Sequence, residues 1–352
     1  MAITTERYTI EEVDLSRADD RLVREVADLA NAVTSERVPE DPPLSYEGFA
    51  SRFRSRPQSM KIRDFVARTP EGELVARGSV IRYEADTNQD HREAVIEVLA
   101  AHRRRGVAKR LLREVVKAAG EGDDLVIGFY TSDRIPAGAA FLQRVGAKQT
   151  LTMHTNQLDL SSVDREMVRE WASINPDGYR LEWIDGDVPE RLVNNVIVAY
   201  DCMNTAPRGE SSMEDWHTTA EQLRDWDRSR NARGGERRLL LAIHEITGAT
   251  AGYTELAYDP KLPPVIWQQG TAVIPAHRGQ GIGKWIKAAM LERAMRDWPR
   301  AKLVRTGNAD SNAPMLAINT KLGFRPAWAG TIWEIGIADL RRYVDSFAES
   351  AA

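Results

Sequence analysis

The chain has 352 residues, of which 42% are hydrophobic, and its 48 basic and 52 acidic side chains leave a net charge of −4. That length suits two domains, and the lack of a basic excess argues against nucleic acid as the main partner. A single cysteine, Cys202, excludes an intrachain disulfide and a Cys-cluster metal site, and it fits a reducing, cytoplasmic compartment. The six histidines form no His-Glu-x-x-His motif and no i,i+4 pair, so no metal is expected. The polar N-terminus lacks the apolar core of a signal peptide, and no stretch reaches the about 18 apolar residues of a membrane span, so no membrane partner is expected either.

In chain order, a strand is predicted at 8–11, then a helix striped by Leu22, Val23, Val26 and Leu29. A polar, helix-biased region covers 44–57, and a strand pair turns at Gly72. A strand over 94–98 leads into Arg103-Arg104-Arg105-Gly106-Val107-Ala108, and a helix striped by Leu111, Leu112, Val115 and Val116 follows. A strand over 125–130 and a helix stopped by Gly146 complete the first half. The polar stretch 161–178, closed by Pro176-Asp177-Gly178, reads as the boundary between domains at 1–162 and 163–352.

The order then repeats. A strand at 179–182 precedes a helix on Leu192, Val193, Val196 and Val198, and a polar region over 211–230 includes a helix bearing Asp215, Trp216 and His217. Strands over 239–243 and 251–255 turn at Gly248, and a strand at 271–274 leads into Arg278-Gly279-Gln280-Gly281-Ile282-Gly283. A helix on Ile286, Ala289, Met290 and Ala294, a strand at 301–305 and a helix stopped by Gly323 follow, with a closing helix over 338–347. Each half therefore reads β-α-(α)-β-β-β-α-β-α-β, an α/β domain.

The two Arg-x-x-Gly-x-(Gly/Ala) segments each sit between a strand and a helix. Small residues there let backbone N–H groups close on a phosphate, and the helix N-terminus adds partial positive charge. A P-loop is excluded because Lys284 is followed by Trp285, and the dinucleotide Gly-x-Gly-x-x-Gly fingerprint is excluded by the spacing of Gly279, Gly281 and Gly283.

Strand, Arg-x-x-Gly-x-(Gly/Ala), helix, strand and a helix ending Leu322-Gly323-Phe324 resemble the GNAT acyltransferase superfamily, and the resemblance covers nearly the whole chain as two tandem domains. It implies that the loop cradles the pyrophosphate of acetyl-CoA. Gly279, Gln280, Gly281, Ile282, Gly283 and Lys284, with Arg278, would hold the pyrophosphate. The backbone of Thr271, Ala272 and Val273 would face the pantetheine arm. Asn308 and Asn312 would line the thiol end. In the first half the matching positions are Ile96, Glu97 and Val98, and Arg104, Arg105, Gly106, Val107, Ala108 and Lys109.

The second half retains three glycines in its loop, the Asn308…Asn312 pair and Gly323-Phe324, so it reads as the catalytic domain. The first half reads as a cofactor binder without turnover, or a scaffold. Acyl transfer to an amine needs a group to take the amine proton and one to protonate the leaving thiolate. The resemblance implies a strand glutamate as base, and Glu255 is the leading candidate, with Tyr253 on its face of the strand to pack against it. Glu334 is a further candidate base, His277 a pyrophosphate contact or a capped surface residue, and Gln268 a group that orients the acceptor. The tyrosine that many members use as acid falls on Asn319 here and on Leu142 in the first half, and an amide cannot give up a proton as a phenol does. The acid would then be a water, the departing ammonium or a tyrosine from elsewhere, and Asn319 a structural or oxyanion-type hydrogen-bond donor.

The expected function is acetyl-CoA-dependent N-acetylation of a small-molecule primary amine, by a monomer or homodimer. The alternatives are a non-catalytic acyl-CoA-binding protein on the same fold, or an acetyltransferase for protein N-termini or lysines.

Overall fold

The computed structural model describes residues 8–346. Phe347, at the predicted end of the last helix, lies outside them. The chain forms two compact units: unit 1 is Met1–Thr152, Gly209–Met213 and Gly330–Ala352, and unit 2 is Met153–Arg208 and Glu214–Ala329.

Unit 1 contains β1 (Thr9–Val13), α1 (Asp20–Arg37), α2 (Tyr46–Arg54), β2 (Met60–Arg68), β3 (Leu74–Tyr83), β4 (His91–Val98), α3 (Val107–Ala119), β5 (Val126–Ser132) and α4 (Pro136–Val145). The chain continues through β6 (Lys148–Asp159) and α5 (Arg165–Ala172) into unit 2. Unit 2 then holds β7 (Tyr179–Asp185), α6 (Val193–Asp201), α7 (Ala220–Ala232), β8 (Glu236–His244), β9 (Thr250–Tyr258), β10 (Val265–Val273), α8 (Ile282–Asp297), β11 (Leu303–Ala309) and α9 (Ala313–Leu322). The chain ends with β12 (Arg325–Gly336) and α10 (Ile337–Ser346).

The units do not follow a cut at residue 162. The last strand of each half serves the other unit's sheet. Residues 153–159 of β6 pair antiparallel with β11, and residues 330–336 of β12 pair antiparallel with β5. Side chains fix this arrangement. Leu158 is buried in the core beneath α8, whereas Trp333 and Ile335 are buried with α3, where Trp333 Nε1 donates to Thr131 Oγ1 at 2.8 Å. Unit 1 thus has strand order β1-β2-β3-β4-β5-β12 and unit 2 order β7-β8-β9-β10-β11-β6. In each sheet one pair is parallel, β4 with β5 and β10 with β11.

Each sheet is covered on both faces. In unit 2, α8 buries Trp285, Ile286, Met290 and Ala294 against Leu240, Ala251 and Ile266, while α6 and α7 bury Val196 and Leu223 against Leu239, Leu241 and Tyr253. Burying a large apolar side chain of this kind contributes about 1.5–3 kcal/mol. The expected linker at 161–178 contains α5 instead. Its Val168 belongs to the α8 core, and Trp285 Nε1 donates to the Ala172 carbonyl at 3.0 Å. The polar run 211–219 forms no helix, so Asp215, Trp216 and His217 precede α7. That helix starts where Thr219 and Gln222 form a capping box.

The duplication extends to side-chain detail. Tyr8 Oη and His102 Nδ1 share a 3.1 Å hydrogen bond in unit 1, and Tyr179 Oη and His277 Nδ1 share one of 2.8 Å in unit 2. Arg103 Nε donates to the Val98 carbonyl at 3.1 Å, and Arg278 Nε to the Val273 carbonyl at 3.0 Å.

Candidate functional site

Two features of β10 open the sheet of unit 2. First, β10 and β11 pair only over Val265–Trp267 and Leu303–Arg305. The rest of β10 stays with β9, and the rest of β11 stays with β6. The edge of Thr271, Ala272 and Val273 that would face β11 is therefore free of ladder bonds, and a chain-like ligand can lie there. Second, β10 is bulged. Leu256 pairs with Gln268 and Thr254 with Thr271, so Gln269 and Gly270 together oppose Glu255.

Beyond β10 the chain turns through the phosphate-loop segment. Gly279 and Gly281 have φ of +82° and +80°, the left-handed region that glycine enters without strain. Gly281 is the N-cap of α8 and offers no side chain, so the first N–H groups of this 16-residue helix are left without a side-chain cap. A Cβ on Gly283 would come within 3.3 Å of Ile318 Cδ1 and 3.6 Å of Val273 Cγ2. These residues fit a pyrophosphate: a cradle of backbone N–H groups, kept open by missing side chains at a helix N-terminus. Arg278 serves the loop itself, since its guanidinium donates to the Val273 carbonyl and, at 2.8 Å, to Thr205 Oγ1. His277 is engaged by Tyr179.

Glu255 lies on the face covered by α6 and α7, opposite the bulge. Tyr200 Oη donates to its Oε2 at 2.9 Å, and Arg237 Nε approaches Oε1 at 3.8 Å. The side chain remains 14% exposed. Burial pushes its carboxyl above the ordinary carboxylate range, and Arg237 and the Tyr200 hydrogen bond offset only part of that. Tyr253, which the sequence paired with Glu255, packs against Tyr200 at 5.5 Å between ring centroids. Burial holds the phenols of Tyr200 and Tyr253 well above their usual pKa. A carboxylate with a raised pKa is a stronger base than an ordinary one and is suited to take a proton from a bound ammonium. Tyr200 carries no motif and stands out only once α6 is packed over β9.

On the β11 side, three carboxamides meet. Asn308 lies within β11, and its Oδ1 accepts from Asn319 Nδ2 at 2.8 Å and from Asn156 Nδ2 at 3.4 Å. Asn319 is 1% exposed, and its Oδ1 has no partner among the described residues. Asn312 instead caps α9, accepting from Met315 N. Gln268, expected to orient an acceptor, is buried and fully engaged. Its Nε2 donates to Thr254 Oγ1 and the Glu255 carbonyl, and its Oε1 accepts from Lys287 Nζ at 3.3 Å. Glu334 belongs to unit 1, where it accepts from Ser211 Oγ, Ser212 N and Ser212 Oγ. Burial pulls its carboxyl up, but these bonds prevail and hold it below the ordinary range. It anchors the 209–213 segment and is not among the groups around Glu255.

Unit 1 repeats the opening. Its β4–β5 ladder stops at Ala94 and Phe129, leaving Ile96, Glu97 and Val98 unpaired on that side. Glu97 is held by Arg77 at 2.5 Å. In the loop Gly106 has φ +86°, and Arg104, at the position of Gly279, has φ +63°. A left-handed non-glycine residue costs roughly 1–2 kcal/mol, so the loop keeps its backbone path although the glycine is gone. Ala108 stands where Gly283 does, inside the first turn of α3 with Val107 and Lys109.

Residues 200–324 match the model of the acetyltransferase (GNAT) family. No curated protein matches the chain. Among solved structures, a tandem GNAT protein from the clavulanic acid biosynthesis pathway is 24% identical, with 94% of this chain and 99% of that one covered and a TM-score of 0.77. A GCN5-related N-acetyltransferase from Sphaerobacter thermophilus is 13% identical, with coverages of 94% and 96% and a TM-score of 0.63. A GCN5-related glucosamine N-acetyltransferase region of a fungal multi-domain β-N-acetylglucosaminidase is 12% identical, covering 95% of this chain and 39% of that one, with a TM-score of 0.64. The fold is that of a tandem GNAT protein, and the family-model match lies within the second half.

Proposed function

From a GNAT domain at 200–324 within a tandem GNAT fold, we propose that unit 2 moves an acetyl group from acetyl-CoA to the primary amine of a small molecule by direct attack. The observation that carries this reading is the position of Glu255, opposite the β10 bulge with its carboxyl raised above the ordinary range. Acetyl-CoA, when bound, supplies an acyl group activated as a thioester.

The chain's own residues do the rest. The N–H groups of Gly279–Lys284 hold the pyrophosphate, and the free edge of Thr271, Ala272 and Val273 holds the arm. The carboxylate of Glu255 takes the proton of the incoming ammonium, and Tyr200 holds that carboxylate toward the bulge. Asn319 is not the free hydrogen-bond donor expected from the sequence, because its Nδ2 is taken by Asn308 and its unpartnered oxygen is closed off from solvent. Unit 1 keeps the loop path through Arg104, which supports cofactor binding there without turnover. The lone thiol Cys202 supports a cytoplasmic setting.

A second reading, an acyl-CoA-binding protein without turnover, is favoured by the amide at Asn319 and by the Arg237–Glu255 contact. One experiment separates the two: thermal stabilisation by acetyl-CoA, followed by a CoA-release assay over a panel of amines. Stabilisation with amine-dependent release is expected. Stabilisation with no release from any amine supports the second reading, and no stabilisation at all removes both.

A further inference from the structure

We propose that the phenol of Tyr253 is the proton donor to the sulfur that leaves when the acyl group is transferred in unit 2. The inference rests on the acyl-transfer reading above. Its basis is a buried donor left open at the bulge. Tyr253 is 2% exposed, and its hydroxyl makes no hydrogen bond among the described residues yet is not sealed from solvent, so a ligand lying at the bulge can reach it.

The ring lies diagonally across β10 from its strand partner Ala272 and ends over Gly270. A Cβ on Gly270 would overlap the hydroxyl and stand 2.7 Å from Cζ, so only glycine leaves room for the phenol. Gly270 is one of the two bulge residues opposite Glu255, where β10 has already parted from β11. Donor and acceptor of protons therefore converge on one point of one strand. From Gly270 to Ile274, just before the loop, is about 13 Å of extended chain. A ligand anchored at the loop and lying along this edge brings its far end to Tyr253.

The ionisable groups acting on Tyr253 are the Glu255 carboxylate and the Cys202 thiol. With burial, both raise its pKa, so it stays protonated across the working range. Asn319 cannot replace it, because its Nδ2 is engaged by Asn308 and an amide gives up no proton. In the step the N–C bond forms and the C–S bond breaks. The amine proton goes to Glu255 and the phenol proton to sulfur, leaving an amide and a thiol. Glu255 then returns its proton to solvent, and Tyr253 recovers one from solvent.

The test is Tyr253→Phe, which keeps the ring over Gly270. We expect kcat with acetyl-CoA to fall about 100-fold with KM unchanged. The deficit should vanish with an acetyl thioester of nitrothiophenol, whose anion leaves without a proton. Wild-type kcat in the variant, or equal deficits with both donors, overturns the proposal. A second measurement needs no turnover. Ultraviolet difference spectra on titrating CoA should show a tyrosine perturbation in the wild type that is absent in Tyr253→Phe and absent with desulfo-CoA. Identical spectra for the two proteins overturn the proposal. If the wild type releases no CoA with any amine, the acyl-transfer reading fails, while these spectra still decide whether Tyr253 meets the sulfur.

Discussion

Tyr200, at the C-terminal end of α6, donates a 2.9 Å hydrogen bond to Glu255 on β9, joining the helix layer to the carboxylate that faces the β10 bulge. The bond favours the ionised carboxylate, while burial disfavours it more. Glu255 must be ionised to accept a proton. The acid limb of kcat/KM is therefore expected above the ordinary carboxylate range. Tyr200→Phe removes a contact to the charged form and moves that limb to higher pH. Glu255→Gln abolishes the limb and lowers kcat about 10²–10⁴-fold. A pH–rate profile of the three proteins checks this, and an unchanged limb in Glu255→Gln would exclude Glu255 as the base.

Gly270 and Tyr253 form a packing pair that a double-mutant cycle can measure. Gly270→Ala drives a methyl into the Tyr253 hydroxyl and is expected to destabilise by about 1–3 kcal/mol. Tyr253→Phe removes the overlapping oxygen, so the double variant should recover part of that loss, with a coupling of about 0.5 kcal/mol or more. Denaturant midpoints read the cycle. Additive losses would mean that the two groups do not touch.

Lys287 is buried in α8 with Gln268 as its hydrogen-bond partner, and burial lowers its pKa to about 7. The unfolded chain holds this proton up to about pH 10.4, so between pH 7 and 10 it binds more protons than the folded chain. Stability from this group therefore rises with pH across that window. Lys287→Met lacks the rise. Urea midpoints at pH 6 and 9 should show the variant gaining on the wild type at pH 6 and losing that advantage at pH 9.

Cys202 is buried beside Thr205, and burial pushes its thiol pKa up. A protonated thiol is a poor nucleophile, which argues against an acyl-enzyme. Cys202→Ala is expected to keep kcat and lose about 1 kcal/mol of stability. Intact-protein mass spectrometry after mixing with acetyl-CoA should find no acetylated Cys202. A stoichiometric adduct there would favour a two-step route.

Gly281 caps α8 at φ +80°. Gly281→Ala is expected to cost roughly 1–2 kcal/mol and to weaken acetyl-CoA binding, as read by calorimetry. Affinity equal to the wild type would place the pyrophosphate elsewhere.

The sequence by itself determined the local grammar of this protein: the element order of both halves, the glycine stops at Gly146 and Gly323, and the glycine-bearing loop at 278–283 between a strand and a helix. These follow from residue periodicity and from backbone conformations that few side chains tolerate, both of which act over a few neighbours. What only the tertiary structure decided is which distant groups meet. β6 and β12 trade units because a strand's edge preference is set by the core it can bury, as with Leu158 and Trp333, and no local pattern encodes that. The same holds at the site. Tyr200 reaches Glu255 across 55 residues, Gln268 turns inward to Lys287, Glu334 anchors a unit 1 segment, and a one-residue bulge sets Gly270 under the Tyr253 phenol. A bulge is a property of two strands in register, so it becomes visible only when β9 and β10 are paired.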